Sequence, residues 1–380
     1  MMRMNMKVTI ATGLYPPEIG GPATYAAMLE TELPGHGFEL TTVPFGWVRQ
    51  YPKVLRHLVY AWKLWRESKG ADMIYALDPT SVGLAAYLVA RVRHKPFLVR
   101  LGGDYAWEQG RMRFGVTDTL DVFLTKRASW PFMVRQLAKV QTFVVSQAVR
   151  VVVPSEYLKR VVVQWGIDSK KIKVIYSALY PLEVHGTRQE LREELECPYP
   201  TIVSAGRLVP WKGFSVLIDV LHRLKDRYPQ IALVIVGDGA ERAALEEKVA
   251  QLKLAQHVWF TGSITKDALG ATIKAADVFV LNTAYEGLSH QLIEVMDIGT
   301  PIVTTDAGGN PELITDGVNG FLVEFNDVDA LTEAIARVLG HPESRERLVQ
   351  SARGRSKQFA KEEVVKEIVS LLTSIYEGRI

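Results

Sequence analysis

The sequence predicts an α/β protein built from two doubly wound, parallel sheets, and three observations carry that expectation. Short apolar runs alternate with amphipathic stretches along the whole chain, the pattern of strand, turn and crossover helix. At 380 residues the chain exceeds what one hydrophobic core usually organises, so two domains of roughly 150–200 residues are expected. The run of strands is interrupted once, at Tyr176–Glu183 with Pro181, a linker that separates residues 1–178 from residues 179–360.

In the first half, Val8–Thr12, Leu40–Val43, Met73–Ala76, Phe97–Arg100, Val151–Val153 and Lys173–Ile175 read as strands. Lys53–Ser68, Val82–Arg91 and Ser155–Val163 read as helices between them. In the second half, Thr201–Ala205, Ala232–Val236, His257–Phe260, Val278–Leu281 and Ile302–Thr304 repeat the strand pattern, with helices such as Phe214–Arg227 and Glu241–Leu252. Near the end, Val364, Val365, Ile368, Leu371, Leu372, Ile375 and Tyr376 recur at helical spacing, so the helix within 361–380 buries one face. It is expected to cross back to the first domain. Two such sheets facing each other place a ligand cleft between their strand C-terminal ends.

Composition narrows the class. Hydrophobic residues make up 48% and charged residues 23%, ordinary for a soluble globular protein. Cys197 is the single cysteine, which excludes an intrachain disulfide and a cysteine metal cluster and fits a reducing compartment. The N-terminal apolar stretch is too short for a signal peptide, and no stretch approaches the ~18–20 apolar residues that span a bilayer. The uncharged segment Pro79–Ala90 reads as a buried helix. A cytoplasmic protein is expected. The net charge of +3 hides an asymmetry: residues 1–180 carry 24 Lys and Arg against 13 Asp and Glu, residues 181–380 carry 21 against 29. Two domains with different partners would produce that split, as would uneven surface charge.

The chemistry concentrates after two strands of the second half. Gly206-Arg207-Leu208-Val209-Pro210-Trp211-Lys212-Gly213 follows one and precedes a helix, setting two cations beside free helix N–H groups, a combination suited to a phosphate. Two surface cations near a turn is the plainer reading. Further on, Glu286 and Glu294 stand eight residues apart around Gly287, Leu288 and Ser289. In an unbroken helix eight residues span ~12 Å, too far for the paired carboxylates of a glycosidase. Glu286 is therefore expected in the loop before a helix and Glu294 inside it, with different tasks. Loop amides at Gly287–Ser289 would suit phosphate or sugar oxygens, and a partly buried Glu294 needs partners such as ribose hydroxyls. Helix capping and a solvated charge would explain the same residues without a ligand.

The ordered set GRLVPWKG, VGDGAER, EGLSHQLIEVMDIGTPIV, GGNPELI and GVNGFLV resembles family 4 of the retaining glycosyltransferases, strongly over residues 201–340 and weakly at Pro16–Thr24. The resemblance implies the GT-B fold, two Rossmann-like domains facing across a cleft, and transfer of a hexosyl unit from a UDP- or GDP-sugar to an acceptor hydroxyl. It implies that Arg207 and Lys212 bind the donor diphosphate, that Glu286 lies beside the transferred sugar and that Glu294 holds the ribose. Gly20 and Gly21 match a glycine loop that lets backbone approach donor or acceptor, with an ordinary strand–helix turn as the alternative. Gly237, in Gly237-Asp238-Gly239, is a turn residue with a nucleotide contact as the alternative. Where many family members carry a histidine after the strand equivalent to Phe97–Arg100, this chain has Leu101-Gly102-Gly103-Asp104, so Asp104 is expected to take over sugar contact, with a plain turn residue as the alternative. Ser177-Ala178 and Asp297-Ile298 depart from the family pattern as well.

No metal or other cofactor is expected, because cations stand where the diphosphate would sit. The D-x-D of Asp327-Val328-Asp329 precedes the helical run Ala330–Leu339 and reads as an N-cap. A basic, aromatic surface is expected in the first domain. There Arg49, Lys53, Arg56, Lys63, Arg66 and Lys69 mingle with Tyr51, Tyr60, Trp62 and Trp65, and Arg111, Arg113, Phe114, Lys126, Arg127, Trp130, Phe132 and Arg135 repeat the mixture. It suits the anionic inner face of a membrane. A solvated cationic face over packed aromatics is the alternative, and no motif accompanies it that would suggest nucleic acid. The expected partners are thus a nucleotide sugar and a glycan or lipid-linked acceptor. Two rival functions fit parts of the pattern: an NDP-sugar epimerase, and a non-catalytic nucleotide-sugar or glycan-binding protein.

Overall fold

The computed structural model describes residues 5–18, 20–197 and 200–378; Ile19 of the glycine loop and the side chains of Lys53 and Val54 lie outside that set. The chain divides into two compact units, Met1–Ser177 with Glu362–Ile380, and Ala178–Lys361.

The first unit holds a six-stranded sheet of β1 (Met6–Thr12), β2 (Phe38–Pro44), β3 (Met73–Ala76), β4 (Phe97–Arg100), β5 (Arg150–Val153) and β6 (Ile172–Val174). The strands are parallel in the order β2-β1-β3-β4-β5-β6, with Ile10 paired to Thr42 on one side and Tyr75 on the other. Every residue of β3 and β4 is buried, as expected for parallel strands covered by helices on both faces. The terminal helix Lys361–Tyr376 belongs here. Val364, Val365, Ile368, Leu371, Leu372 and Ile375 are buried, and Glu367 pairs with Lys173 of β6 at 3.8 Å.

The second unit repeats the plan with β7 (Thr201–Ala205), β8 (Ala232–Val236), β9 (Val258–Gly262), β10 (Val278–Leu281), β11 (Ile302–Thr305) and β12 (Phe321–Val323), in the order β12-β11-β10-β7-β8-β9. The chain runs outward from β7 to one edge, returns to β10 and runs to the other. The direction of winding thus reverses between β7 and β10, where such sheets open a crevice at their C-terminal ends. In the first sheet the reversal falls between β1 and β3. The second core is anchored by Phe214, Leu217, Ile218 and Leu221, one stripe of the helix Phe214–Leu224, each burying about 1.5–3 kcal/mol of side chain.

Two readings are corrected. β12 is a strand that the sequence pattern did not reveal. The segment Pro79–Ala90 is not a fully buried helix: the helix Gly83–Val92 buries Ala86, Val89 and Ala90 but exposes Leu84, Leu88 and Val92.

Candidate functional site

The loops after β7 and β10 are sewn together by buried polar groups. Gly206 leaves β7 at φ 148°, and Gly237 (φ 125°) leaves β8 so close to it that a Cβ on Gly237 would collide with the Gly206 carbonyl oxygen. This approach accounts for Gly237 as a packing position. A short turn, Pro210–Lys212, is closed by Gly213 in the left-handed region (φ 55°). Directly after β10, the buried Asn282 donates from Nδ2 to the Gly213 carbonyl at 3.0 Å and to Asn326 Oδ1 at 2.9 Å. The Thr283 hydroxyl donates to the Trp211 carbonyl at 3.2 Å, and Ala284 N donates to the same oxygen at 2.8 Å. Asn282 and Thr283 were not singled out from the sequence. Their signal was a polar pair on the end of an apolar strand.

This stitching brings Lys212 to Glu286. The ammonium and the carboxylate form an ion pair between residues 74 positions apart, their side chains only 18% and 17% exposed. Arg207 is exposed and has no ion-pair partner among the described residues. The backbone of Glu286 is fixed from behind by the double glycine. Gly309 N donates to the Glu286 carbonyl at 2.9 Å, and a Cβ on Gly308 would collide with that carbonyl. Asn310, next in the chain and fully buried, donates to Thr304 Oγ1 and the Thr305 carbonyl, both at 3.2 Å.

Glu286 lies in the loop and Glu294 inside the helix His290–Ile298. Ser289 caps that helix, its hydroxyl accepting from Leu292 N at 3.3 Å, so this side chain is already engaged, and Leu288 is buried. The helix start turns its positive dipole end toward the Gly287–Ser289 loop. Glu294 has a different environment from Glu286. It is half-buried and without a hydrogen-bond or ion-pair partner among the described residues. Burial pushes its pKa up to about 7, with Lys266 pulling weakly the other way.

In the first unit, Gly20 (φ 152°) caps the helix Gly21–Glu32, its carbonyl accepting from Ala23 N at 3.0 Å and Thr24 N at 3.1 Å. Gly20 and Gly21 thus stand at a helix N-terminus after β1, beside the point where the strand order reverses. Asp104 is a correction. Its side chain is buried and caps the helix Tyr105–Arg113, accepting from Trp107 N at 3.0 Å and Gln141 Nε2 at 3.2 Å. A carboxylate turned into the core to satisfy amides does not reach a sugar. Burial pushes its pKa up against those hydrogen bonds. Asp78, which follows β3 at the reversal, was missed from the sequence; it accepts from Thr80 N at 2.9 Å and from Ser81 N at 2.5 Å, and burial raises its pKa also.

The same unit presents an apolar and basic face. The helix Lys53–Glu67 packs beside Gly83–Val92, which packs beside Phe132–Gln147. Leu58 is 65% exposed, Trp62 54% and Trp65 47%; Leu88 and Val92 of the next helix and Phe132, Met133 and Phe143 of the third are exposed as well. Arg66 lies over the Trp62 ring at 5.2 Å and Arg93 over Trp65 at 5.1 Å. Tyr60, by contrast, is wholly buried and donates to the Val43 carbonyl at 2.8 Å. Asp327 accepts from Ala330 N at 2.9 Å as the cap of the helix Val328–Gly340, while Asp329 pairs with Arg223.

Two family models divide the chain between them. Residues 1–179 match Glycosyltransferase Family 4, and residues 187–355 match Glycosyl transferases group 1. The chain belongs to glycosyltransferase family 4. Among relatives of this family member, a GDP-mannose-dependent alpha-(1-6)-phosphatidylinositol monomannoside mannosyltransferase of Mycolicibacterium smegmatis is 38% identical over 38% of this chain and 39% of its own length. The lipopolysaccharide core biosynthesis glycosyltransferase LpsE of Rhizobium meliloti is 32% identical over 48% of this chain and 53% of its own. The matches thus span about half the length of these curated relatives or less. Among solved structures, HepE of Anabaena with UDP and glucose superimposes at a TM-score of 0.77 with 20% identity, covering 97% of this chain and 100% of that one. Sucrose-phosphate synthase of Thermosynechococcus elongatus gives 0.77 and 20%, covering 98% and 100%. The fold is therefore GT-B.

Proposed function

We propose that this protein transfers a hexosyl unit, with retention of anomeric configuration, from a UDP- or GDP-sugar to an acceptor hydroxyl, without a metal ion. The observation that carries the reading is the meeting of Lys212 and Glu286 at the reversal of the second sheet, beside the exposed Arg207 and a helix N-terminus. The departing diphosphate gathers negative charge as the glycosidic bond breaks. Arg207, Lys212 and the amide end of the helix His290–Ile298 would stabilise that charge without reorganising, which is where electrostatic catalysis gains most. Glu286 would stand beside the sugar and help stabilise positive charge developing at the anomeric carbon, and Glu294 would accept from the ribose hydroxyls. No protein base is assigned. In this reading the leaving phosphate takes the acceptor proton on the face from which it departs.

The named relatives favour GDP-mannose as the first donor to try, and lipid-borne acceptors such as inositol phospholipid glycosides or lipopolysaccharide core. The three-helix face supports the same acceptor class: exposed tryptophans and leucines with cations over them suit the anionic, cytoplasmic side of a membrane. The test is a panel of UDP- and GDP-sugars with and without acceptor, in EDTA, with the product's anomeric configuration read by NMR. Retained configuration and turnover undiminished by EDTA are expected. Inversion, or turnover that needs added Mn²⁺ or Mg²⁺, overturns the reading.

A further inference from the structure

The second unit carries another concentration of positive charge, away from the β7 and β10 loops. Residues 181–380 are acidic overall, with 21 Lys and Arg against 29 Asp and Glu. Against that background a cavity of about 290 Å³ is lined by Arg188, Lys274, Arg345 and Arg353, with Glu346 as its one acid. Ala276 and Pro301, which also line it, lead into β10 and β11. The cavity thus opens at the N-terminal edge of the sheet, the opposite end of the strands from Lys212 and Glu286.

The charge behind it is unbalanced. Asp277, completely buried, pairs with Arg188 and with Arg192 (2.9 Å), has Arg345 at 3.7 Å, and accepts from Thr201 N at 2.8 Å. One carboxylate offers about four acceptor sites, while each guanidinium carries five N–H donors. Arg188 Nε is buried with no hydrogen-bond partner, and Lys274 has neither ion pair nor hydrogen bond among the described residues. Helix carbonyls account for two of the neighbouring cations: Arg192 donates to Ala275 O at 2.8 Å and Arg353 to Ile298 O at 2.6 Å. They do not account for Arg188, Lys274 and Arg345, which converge on the cavity with one buried acid among them.

We infer that this cavity is an anion site for a phosphate group, distinct from the donor site and independent of the transfer reaction. Guanidiniums bind phosphate bidentately and an ammonium adds a mobile point charge. Its volume stands at the lower end of small-molecule sites, suited to phosphate or a compact phosphate monoester. Arg188 and Arg345 are held in place by Asp277 before any ligand arrives, so little ordering opposes binding.

Isothermal titration with inorganic phosphate and with a hexose monophosphate, at constant ionic strength in chloride, tests this. Saturable binding is expected in the unaltered protein and in Arg207→Gln, and weakening on the order of tenfold or more in Lys274→Gln/Arg345→Gln. Tighter binding of the monophosphate identifies an ester as the occupant; equal binding identifies phosphate alone. Lys274→Gln by itself loses no partner, so it keeps the test valid if the double variant fails to fold, and it too should bind more weakly. Absence of saturable binding, binding lost in Arg207→Gln, or binding indifferent to Lys274→Gln overturns the inference.

Discussion

The two units share a six-stranded parallel plan and differ in where they put their polar groups. In the second, side chains at the strand ends turn toward one another: Asn282 and Thr283 hold the Lys212 loop, and Lys212 meets Glu286. In the first, the carboxylate after β4 turns inward to cap a helix, and the distinctive chemistry faces outward as a sheet of leucine, tryptophan and arginine over three helices. The same architecture thus supports a preorganised charge pair in one half and an exposed apolar and basic face in the other. The topology supplies positions, and the side chains decide what is done there.

The sharpest way to break that contrast is at Glu286. Glu286→Gln should lower kcat by roughly 10²-fold or more, because the charge it would stabilise exists only in the transition state. Lys212→Gln should do likewise, and the double variant should cost less than the product of the two, since each group answers the other in the free protein. Steady-state kinetics with varied donor checks both, and near-normal kcat in either would move the site elsewhere.

The outward face is tested by flotation with anionic vesicles. Leu58→Ser/Trp62→Ser should reduce partitioning about tenfold, the apolar area of two exposed side chains being lost. Added salt should weaken binding of the unaltered protein without abolishing it, since charge is screened and apolar burial is not. No partitioning onto anionic vesicles, or partitioning indifferent to Leu58→Ser/Trp62→Ser, would make the face a solvated surface.

Glu294 sharpens the comparison by pH. Its carboxyl titrates at about 7 in the fold and near 4.3 in an unfolded chain. Between those values the unfolded chain gives up this proton first, so the stability present below about pH 4.3 is lost as pH rises through 7. Glu294→Gln should therefore match the original protein at pH 4.5 and exceed it by about 1–3 kcal/mol at pH 8, read by denaturant unfolding. If the carboxylate holds ribose, the same variant should raise donor KM more than it lowers kcat.

The smallest effect is expected at Asp104. Asp104→Ala removes a helix cap, and its cost should be about 1–2 kcal/mol of stability with kcat nearly unchanged. A large fall in kcat with stability intact would restore it to the chemistry.

Much of the fold was legible because the central strands are buried on both faces. Met73–Ala76, Thr201–Ala205 and Val278–Leu281 read from the sequence as they stand in the structure. β12 escaped because three residues between Gly320 and Glu324 make no pattern. The helix Gly83–Val92 was misjudged because apolar residues all round look alike whether the outer face meets protein or something else. Both glutamates were visible as loop and helix residues from their spacing. The Lys212–Glu286 pair was not, since bringing residues 74 apart together depends on β10 lying beside β7. Asp104 was misplaced for a similar reason: position after a strand does not tell which way a side chain turns.

The double glycine at Gly308-Gly309 sets a limit on redesign. Both positions press backbone to backbone on Glu286 and Gly287, Gly308 with φ 63° as well, so any side chain there would push the glutamate's loop outward. Libraries that vary the surroundings of Glu286 should hold these two codons constant and vary the exposed residues around them. Tolerance to mutation around Glu286 will follow backbone clearance rather than distance from its carboxylate.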